Sequence, residues 1–98
     1  MSQDRFTRMA RGRECQVRLP CCNGDPETTV LGHVRMIGIT GMGLKAPSQL
    51  GAWVCSACHS AADSLQWNGE RYEREFVELA FLRGVMRTQY TLIKEGVL

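Results

Sequence analysis

The chain has 98 residues and a formal net charge of +2, so it is expected to form one small domain whose charge neither requires nor excludes a nucleic-acid partner. The sequence contains no run of about 20 apolar residues, which excludes a membrane-spanning helix and predicts no membrane partner. Residues 1–13 are polar and lack the apolar segment of a secretory signal, so the cytoplasm is the expected compartment.

The first residues also predict a basic N-terminal arm. It carries Arg5, Arg8, Arg11 and Arg13, and Arg18 follows it. Such an arm either follows a phosphate backbone or is a solvated, partly frayed segment.

The N-terminal half of the chain is predicted to hold a short helix, a knuckle and one strand. Residues 3–10 favour a helix that ends at Gly12, and residues 14–19 alternate as in a short strand. Residues 21–26 are turn formers throughout. Residues 28–36 are rich in β-branched and apolar side chains, which predicts the first longer strand.

The C-terminal half is predicted to be mostly helical. Residues 38–51 contain four glycines and a proline, which predicts a long exposed loop, and residues 52–54 form a second strand. A helix is expected from residue 56 to about residue 65, and a longer one from residue 70 to residue 94. The Asn68-Gly69 pair separates the two helices.

One side of the longer helix carries apolar residues at spacings of three and four. They are Tyr72, Phe76, Leu79, either Phe81 or Leu82, Met86, Tyr90 and Ile93. We interpret this stripe either as core or as a dimer contact, so a homo-oligomer through the C-terminal helix is one expected partnership.

The order of strand, loop, strand and helix, with thiols before the first strand and at the start of the helix, is the layout of a ββα-metal unit. The predicted fold class is therefore α+β, a small zinc-stabilised ββα-metal (HNH-like) domain with a long C-terminal helix. The single domain, 1–98, divides into the basic arm 1–13, the zinc knuckle and ββα unit 14–67, and the C-terminal helix 68–98.

Four of the five cysteines are the predicted ligands of a structural Zn²⁺. Cys55 and Cys58 form a CxxC pair that fills half of a tetrahedral site, and Cys15 and Cys22 complete it. Buried free thiols are the alternative, but reduced cysteines in this pattern favour a metal over disulfides or inert packing. Cys21 is interpreted as the spare thiol, because adjacent cysteines seldom bind one ion and Cys22 opens the Asn-Gly turn.

The candidate catalytic residues are His33 and Arg35, which strand alternation places on one face. A neutral imidazole beside a guanidinium suits phosphodiester hydrolysis, since the imidazole takes a proton from water while the cation holds the phosphate. The alternative for His33 is a hydrogen-bonded core histidine.

His59 and Asp63 lie one helical turn apart and form a candidate second metal site. Imidazole and carboxylate together suit a catalytic Mg²⁺, Mn²⁺ or Zn²⁺. In the alternative interpretation, His59 supports the zinc knuckle and Asp63 is simply exposed.

Several motifs together resemble those of one family. They are Gly12-Arg13-Glu14-Cys15-Gln16-Val17-Arg18, Cys22-Asn23-Gly24 with Pro26-Glu27-Thr28, His33-Val34-Arg35, Cys55-Ser56-Ala57-Cys58-His59, and Arg87-Thr88-Gln89 with Lys94-Glu95-Gly96-Val97. From Arg11 onward the chain resembles the YbcO family of small lambdoid phage and prophage proteins. The resemblance implies a phage-encoded nuclease, related to the HNH or His-Me finger class, that works on DNA in the bacterial cytoplasm.

Two positions depart from the HNH pattern, because Gly32 replaces a metal-binding aspartate before His33 and residues 48–50 lack the central asparagine. The leading hypothesis is a metal-dependent DNA endonuclease. The rivals are a zinc-stabilised DNA-binding or recombination accessory protein without cleavage activity, and a phage factor that binds other proteins through its long helix.

Overall fold

The computed structural model describes residues 4–33 and 46–98, which form a small α+β domain. In chain order the regular elements are α1 (Arg5–Met9), β1 (Val30–His33), β2 (Gly51–Val54), α2 (Ser56–Ser64), β3 (Gln66–Trp67), β4 (Glu70–Arg71) and α3 (Arg74–Lys94). Short 3-10 turns occupy Pro26–Thr28 and Ser48–Leu50. The C-terminal helix is confirmed, and none of the helices in the described ranges is long and apolar enough to cross a membrane.

Strands β1 and β2 form an antiparallel hairpin in which Val30 lies opposite Val54 and His33 lies opposite Gly51. The second edge of β2 is covered by other parts of the chain. The backbone N–H of Trp53 donates to the Thr88 hydroxyl at 3.0 Å, and the backbone carbonyl of Trp53 accepts from the N–H of Gln16 at 2.8 Å. Both edges of β2 are therefore hydrogen-bonded, which a hairpin of this size needs for stability.

Side chains alternate between the two faces of the hairpin, and each face packs against a different cluster of buried residues. Ala52 and Val54 face a cluster that includes the cysteines and helices α2 and α3. Leu31 and Trp53 face a second cluster that includes Phe6 of α1. The hairpin thus lies between the cysteine-containing core and the N-terminal helix.

Helix α3 approaches the chain before β1 at Gly84. A Cβ atom at this position would lie 3.2 Å from the backbone nitrogen of Val17, so a larger residue would push the two segments apart. The buried face of α3 comprises Val77, Gly84, Val85, Thr88 and Leu92.

The predicted stripe on α3 does not form the core. Six of its members are exposed, namely Phe76, Leu79, Leu82, Met86, Tyr90 and Ile93. The core interpretation is therefore wrong for these six, because the hairpin packs against the opposite side of the helix. The dimer-contact interpretation stays a prediction.

The first 13 residues, where the structure describes them, are docked on the domain. Helix α1 buries Phe6, and the Arg13 guanidinium pairs with both carboxylate oxygens of Glu95 while lying 4.6 Å from the centre of the Trp53 ring. Arg13 therefore fastens the N-terminal segment to the end of α3, and Arg8 and Arg11 remain exposed.

Three predicted boundaries differ from the structure. Residues 14–19 are irregular because Arg18 takes a left-handed conformation (φ 57°), which interrupts an extended strand. The first strand begins at Val30 because Pro26–Thr28 forms a 3-10 turn, and the remainder of the predicted strand and of the loop, residues 34–45, lies outside the described residues.

The third difference is a small hairpin between α2 and α3 that the sequence analysis missed. Asn68 and Gly69 both have positive φ (50° and 84°), as a two-residue turn between antiparallel strands requires, and they connect β3 to β4. The long helix consequently begins at Arg74, four residues later than predicted.

Candidate functional site

Four cysteines lie together at the end of β2, with their sulfur atoms all within 4.8 Å of one another: Cys15, Cys22, Cys55 and Cys58. Tetrahedral Zn²⁺ binds thiolates at about 2.3 Å, which places neighbouring sulfurs about 3.8 Å apart. The Sγ atoms of Cys22 and Cys55 are 3.9 Å apart. The cluster could therefore hold a metal ion, and its donor set and spacing fit a structural zinc.

Helix α2 positions one half of this cluster. Cys55 directly follows β2 and is the N-cap of α2, and its sulfur accepts the backbone N–H of Cys58 at 3.4 Å. The first turn of a helix presents N–H groups without intrahelical partners, and the Cys55 sulfur takes up one of them. The CxxC spacing then brings Cys58 back to the same side one turn later.

The irregular chain before β1 supplies the other half. Cys15 is buried beside Val17, and the N–H of Cys22 donates to the carbonyl of Leu19 at 2.8 Å in a tight turn. The turn carries Cys22 to Cys55. The predicted strand would have been straight, whereas the left-handed Arg18 bends the chain between the two cysteines.

The thiols of the cluster perturb one another. A hydrogen bond from the Cys58 thiol lowers the pKa of Cys15 to about 4, and the same bond raises the pKa of Cys58. Burial raises the pKa of Cys22. The Cys15–Cys58 pair therefore shares a proton, and a bound divalent cation would replace such protons and stabilise the thiolates.

Cys21 is set apart from its neighbour Cys22. Its thiol donates to the backbone carbonyl of Ala57 at 3.7 Å, and it is not among the four cysteines of the cluster. The geometry thus groups Cys22, and not Cys21, with the other three cysteines, as the turn chemistry of the sequence predicted.

His33 lies half-buried at the last position of β1, opposite Gly51. Its neighbourhood includes Asp4, whose pKa is lowered to about 2 chiefly by a hydrogen bond from the Ser48 hydroxyl, with a minor contribution from the charge of His33. Arg35, the predicted phosphate ligand, lies outside the described residues.

Asp4 and Ser48 are the residues near His33 that the sequence analysis did not select. Asp4 is recognisable as the N-cap of α1, because it directly precedes the helix. Its carboxylate accepts the N–H of Thr7 at 2.9 Å. Nothing in the sequence connects this cap to a histidine 29 positions away.

His59 and Asp63 project from α2, with 3.8 Å between Nδ1 of the imidazole and Oδ2 of the carboxylate. Both side chains are at least 40% exposed. Two ligands that are each about 2.1 Å from a shared ion can be at most about 4.2 Å apart, so the pair is within reach of one cation. Among residues 4–33 and 46–98, the four cysteines are the one group of three or more metal-binding side chains whose ligand atoms lie together.

The predicted base His33 lies at one end of the hairpin, and α2, which carries His59 and Asp63, begins at the other. The register places His33 at the Gly51 end, three residues and about 10 Å along the strands from the Val54 end where Cys55 and α2 begin. A common cleft for His33 and His59 stays a prediction.

The comparisons with known proteins agree with one another. The family described as "Putative nuclease YbcO" matches residues 4–97. Two relatives, "Putative nuclease YbcO" of Escherichia coli (strain K12) and "Putative nuclease ybcO" of Enterobacteria phage 82, are each 44% identical over 90 residues, or 91% of both chains. A solved structure described as "Structure of a putative bacteriophage protein from Escherichia coli str. K-12 substr. MG1655" has a TM-score of 0.74 and 40% identity, and the match covers 92% of this chain and 98% of that one.

Proposed function

The chain belongs to the YbcO family, and on that premise we propose that it is a phage-type, metal-dependent DNA endonuclease of the HNH class, with a structural zinc, that hydrolyses phosphodiester bonds in the bacterial cytoplasm. The observation that carries the proposal is the pairing of relatives named as nucleases with a four-cysteine cluster of zinc-binding geometry. In this proposal the zinc adds its binding free energy to the small hydrophobic core that surrounds the cysteines.

The proposed substrate is DNA, which exposed arginines on the N-terminal side of the domain would contact through its phosphates. Arg8, Arg11 and Arg18 are exposed on this side of the domain. Three such cations form a modest electrostatic footprint, so binding is expected to weaken as salt concentration rises.

The proposed reaction is attack of water on phosphorus. His33 takes a proton from the attacking water, and Arg35 holds a phosphate oxygen. Asp4 is close enough to His33 to interact electrostatically with it, which places a carboxylate beside the proposed base.

His59 and Asp63 are the proposed holders of the second divalent cation. Such an ion would stabilise the charge that develops on the leaving oxygen. The 3.8 Å separation and the exposure of both side chains support this role, since a catalytic ion needs open coordination positions for substrate and water.

The experiment that tests the proposal is a cleavage assay on plasmid and branched DNA, with the zinc-loaded protein and added Mg²⁺, Mn²⁺, Ni²⁺ or Zn²⁺. We expect strand cleavage that requires one of these ions and stops when it is removed by a chelator too weak to extract the structural zinc. DNA binding without cleavage under every condition would contradict the proposal.

His59→Ala is expected to abolish cleavage while leaving the tightly bound zinc and the fold intact, because His59 is not one of the four clustered cysteines. Zinc content by elemental analysis and uptake of Mn²⁺ by the variant provide the measurements. Ser60→Ala, an exposed neighbour on the same helix, is the matched control. Loss of zinc together with the fold would instead assign His59 to the structural site.

One observation favours the rival function, a zinc-stabilised DNA-binding or recombination accessory protein that does not cleave. A Cβ at Gly32 would lie 2.9 Å from Cγ1 of Val54 and 3.1 Å from the Phe81 ring, so this fold leaves no room there for a metal-binding aspartate. The cleavage assay separates the two functions, since the rival predicts salt-sensitive DNA binding alone.

A further inference from the structure

Helix α3 has a second apolar face, opposite the one that packs on the hairpin. The exposed members of this outer face are Phe76 (49%), Leu79 (49%), Leu82 (38%), Met86 (66%), Tyr90 (64%) and Ile93 (58%). The corresponding buried face is formed by Val77, Gly84, Val85, Thr88 and Leu92. A contiguous apolar face of this size on a small protein marks an interaction surface.

The outer face has the spacing of a coiled-coil seam. Positions 76, 79, 83, 86, 90 and 93 follow one another at alternating intervals of three and four, which is the a/d pattern of a heptad repeat. Five of these six residues are large and apolar, and the sixth is Arg83. A seam with this spacing packs against another helix that carries the same repeat.

We propose that the occupant is a second copy of this chain, and that two α3 helices pair antiparallel about a two-fold axis between residues 84 and 85. In this register Phe76 meets Ile93 of the partner subunit, Leu79 meets Tyr90 of the partner subunit, and Arg83 meets Met86 of the partner subunit. Every apolar position on one helix then has a counterpart on the other, as a two-fold contact requires.

The charges on α3 select the antiparallel direction. A parallel pair would place Arg83 against Arg83 of the partner subunit within the seam, and like charges in contact cost several kcal/mol. The antiparallel pair separates them and brings Glu73, before the first turn, beside Lys94 of the partner subunit at the last turn. The carboxylate at the start of each helix thus faces the ammonium group at the end of the other.

The area is sufficient for a specific pair. Six side chains of this size, about half exposed, present on the order of 600 Å² of apolar surface per chain, so a symmetric pair would bury about 1,200 Å² in total, at the lower end of specific interfaces. The dissociation constant of the pair is therefore expected to lie in the micromolar range.

The test is the molar mass of the zinc-loaded chain by light scattering and sedimentation equilibrium. The wild-type chain is expected to reach twice its 11.0 kDa mass at protein concentrations of about 100 μM. Met86→Arg places a second cation beside Arg83 of the partner subunit and should weaken pairing on the order of 100-fold. Val30→Arg, which changes a residue of similar exposure on β1, should pair like the wild type.

A charge swap makes the test specific for direction. Arg83→Glu combined with Met86→Arg restores opposite charges across an antiparallel seam, so the double variant should recover pairing, whereas a parallel seam would meet Glu with Glu and Arg with Arg. A monomeric wild type, a Met86→Arg protein that pairs normally, or a double variant that stays monomeric would each overturn the proposal. Zinc content and circular dichroism show that each variant is folded.

Discussion

Cys58→Ser is expected to lose zinc and to unfold the domain. Cys58 is buried within the cluster that joins the start of α2 to the chain before β1, so removing one thiolate breaks the link between these two segments. Structural zinc sites contribute an apparent binding free energy of roughly 10–16 kcal/mol, which matches or exceeds the roughly 5–15 kcal/mol that stabilises a typical domain. Elemental analysis, circular dichroism and chemical denaturation with and without chelator provide the measurements.

Cys21→Ser is the matched control, since the same chemical change is made beside the cluster and affects only the contacts of the Cys21 thiol with Ala57, Tyr72 and the edge of the core. Cys22→Ser, like Cys58→Ser, should lose zinc and unfold the domain. Equal damage from Cys21→Ser and Cys22→Ser would reassign the fourth ligand. A wild-type chain that contains no zinc and stays folded in chelator would contradict the structural-zinc proposal itself.

His33→Ala is expected to lower the rate of DNA cleavage by a factor of about 100 to 10,000 while the protein keeps its zinc and its fold. The reason is that His33 lies opposite Gly51, one hairpin length from the end of β2 where the cysteine cluster lies. Single-turnover cleavage by wild type and variant, at equal zinc content, measures the effect. A cleavage rate equal to that of the wild type would remove His33 from the mechanism.

The competing role of His33, a residue needed for the core, has its own signature. His33 is half-buried and belongs to the same hairpin as Trp53. If the imidazole were structural, His33→Ala would expose Trp53 and shift its fluorescence to longer wavelength, with a matching loss of stability. If His33 is the catalytic base, His33→Gln, which keeps a hydrogen-bonding side chain of similar size, should keep the fold but not cleave DNA.

Local sequence patterns were sufficient for the chemistry of the cysteine cluster. The CxxC spacing, the Asn-Gly turn after Cys22 and the absence of a secretory signal indicated one metal site with one spare thiol, and the four selected cysteines lie together. The pattern is informative because a metal site needs particular donor atoms at particular spacings, and few other arrangements of five cysteines satisfy it. The strands β1 and β2 and the helices α2 and α3 were also predicted, apart from their boundaries.

The faces of the elements were decided only by tertiary packing. Helix α3 carries apolar residues on two opposite sides, so its periodicity alone permitted either side to be the core. The predicted stripe lay on the outer side, where it was interpreted as either core or dimer contact. In the structure the other face forms the core, because Gly84 has no side chain and lets that face approach the backbone of Val17.

Long-range charge contacts were equally invisible in the sequence. Arg13 pairs with Glu95 across 82 positions, and Asp4 reaches Ser48 across 44, so neither pair has a local signature. The sequence by itself determined which thiols could form a metal site and, in outline, which segments are helical or extended. The tertiary structure alone decided that Arg13 pairs with Glu95, which carboxylate lies near His33, and which face of α3 is exposed, because these depend on the distances between segments remote in the chain.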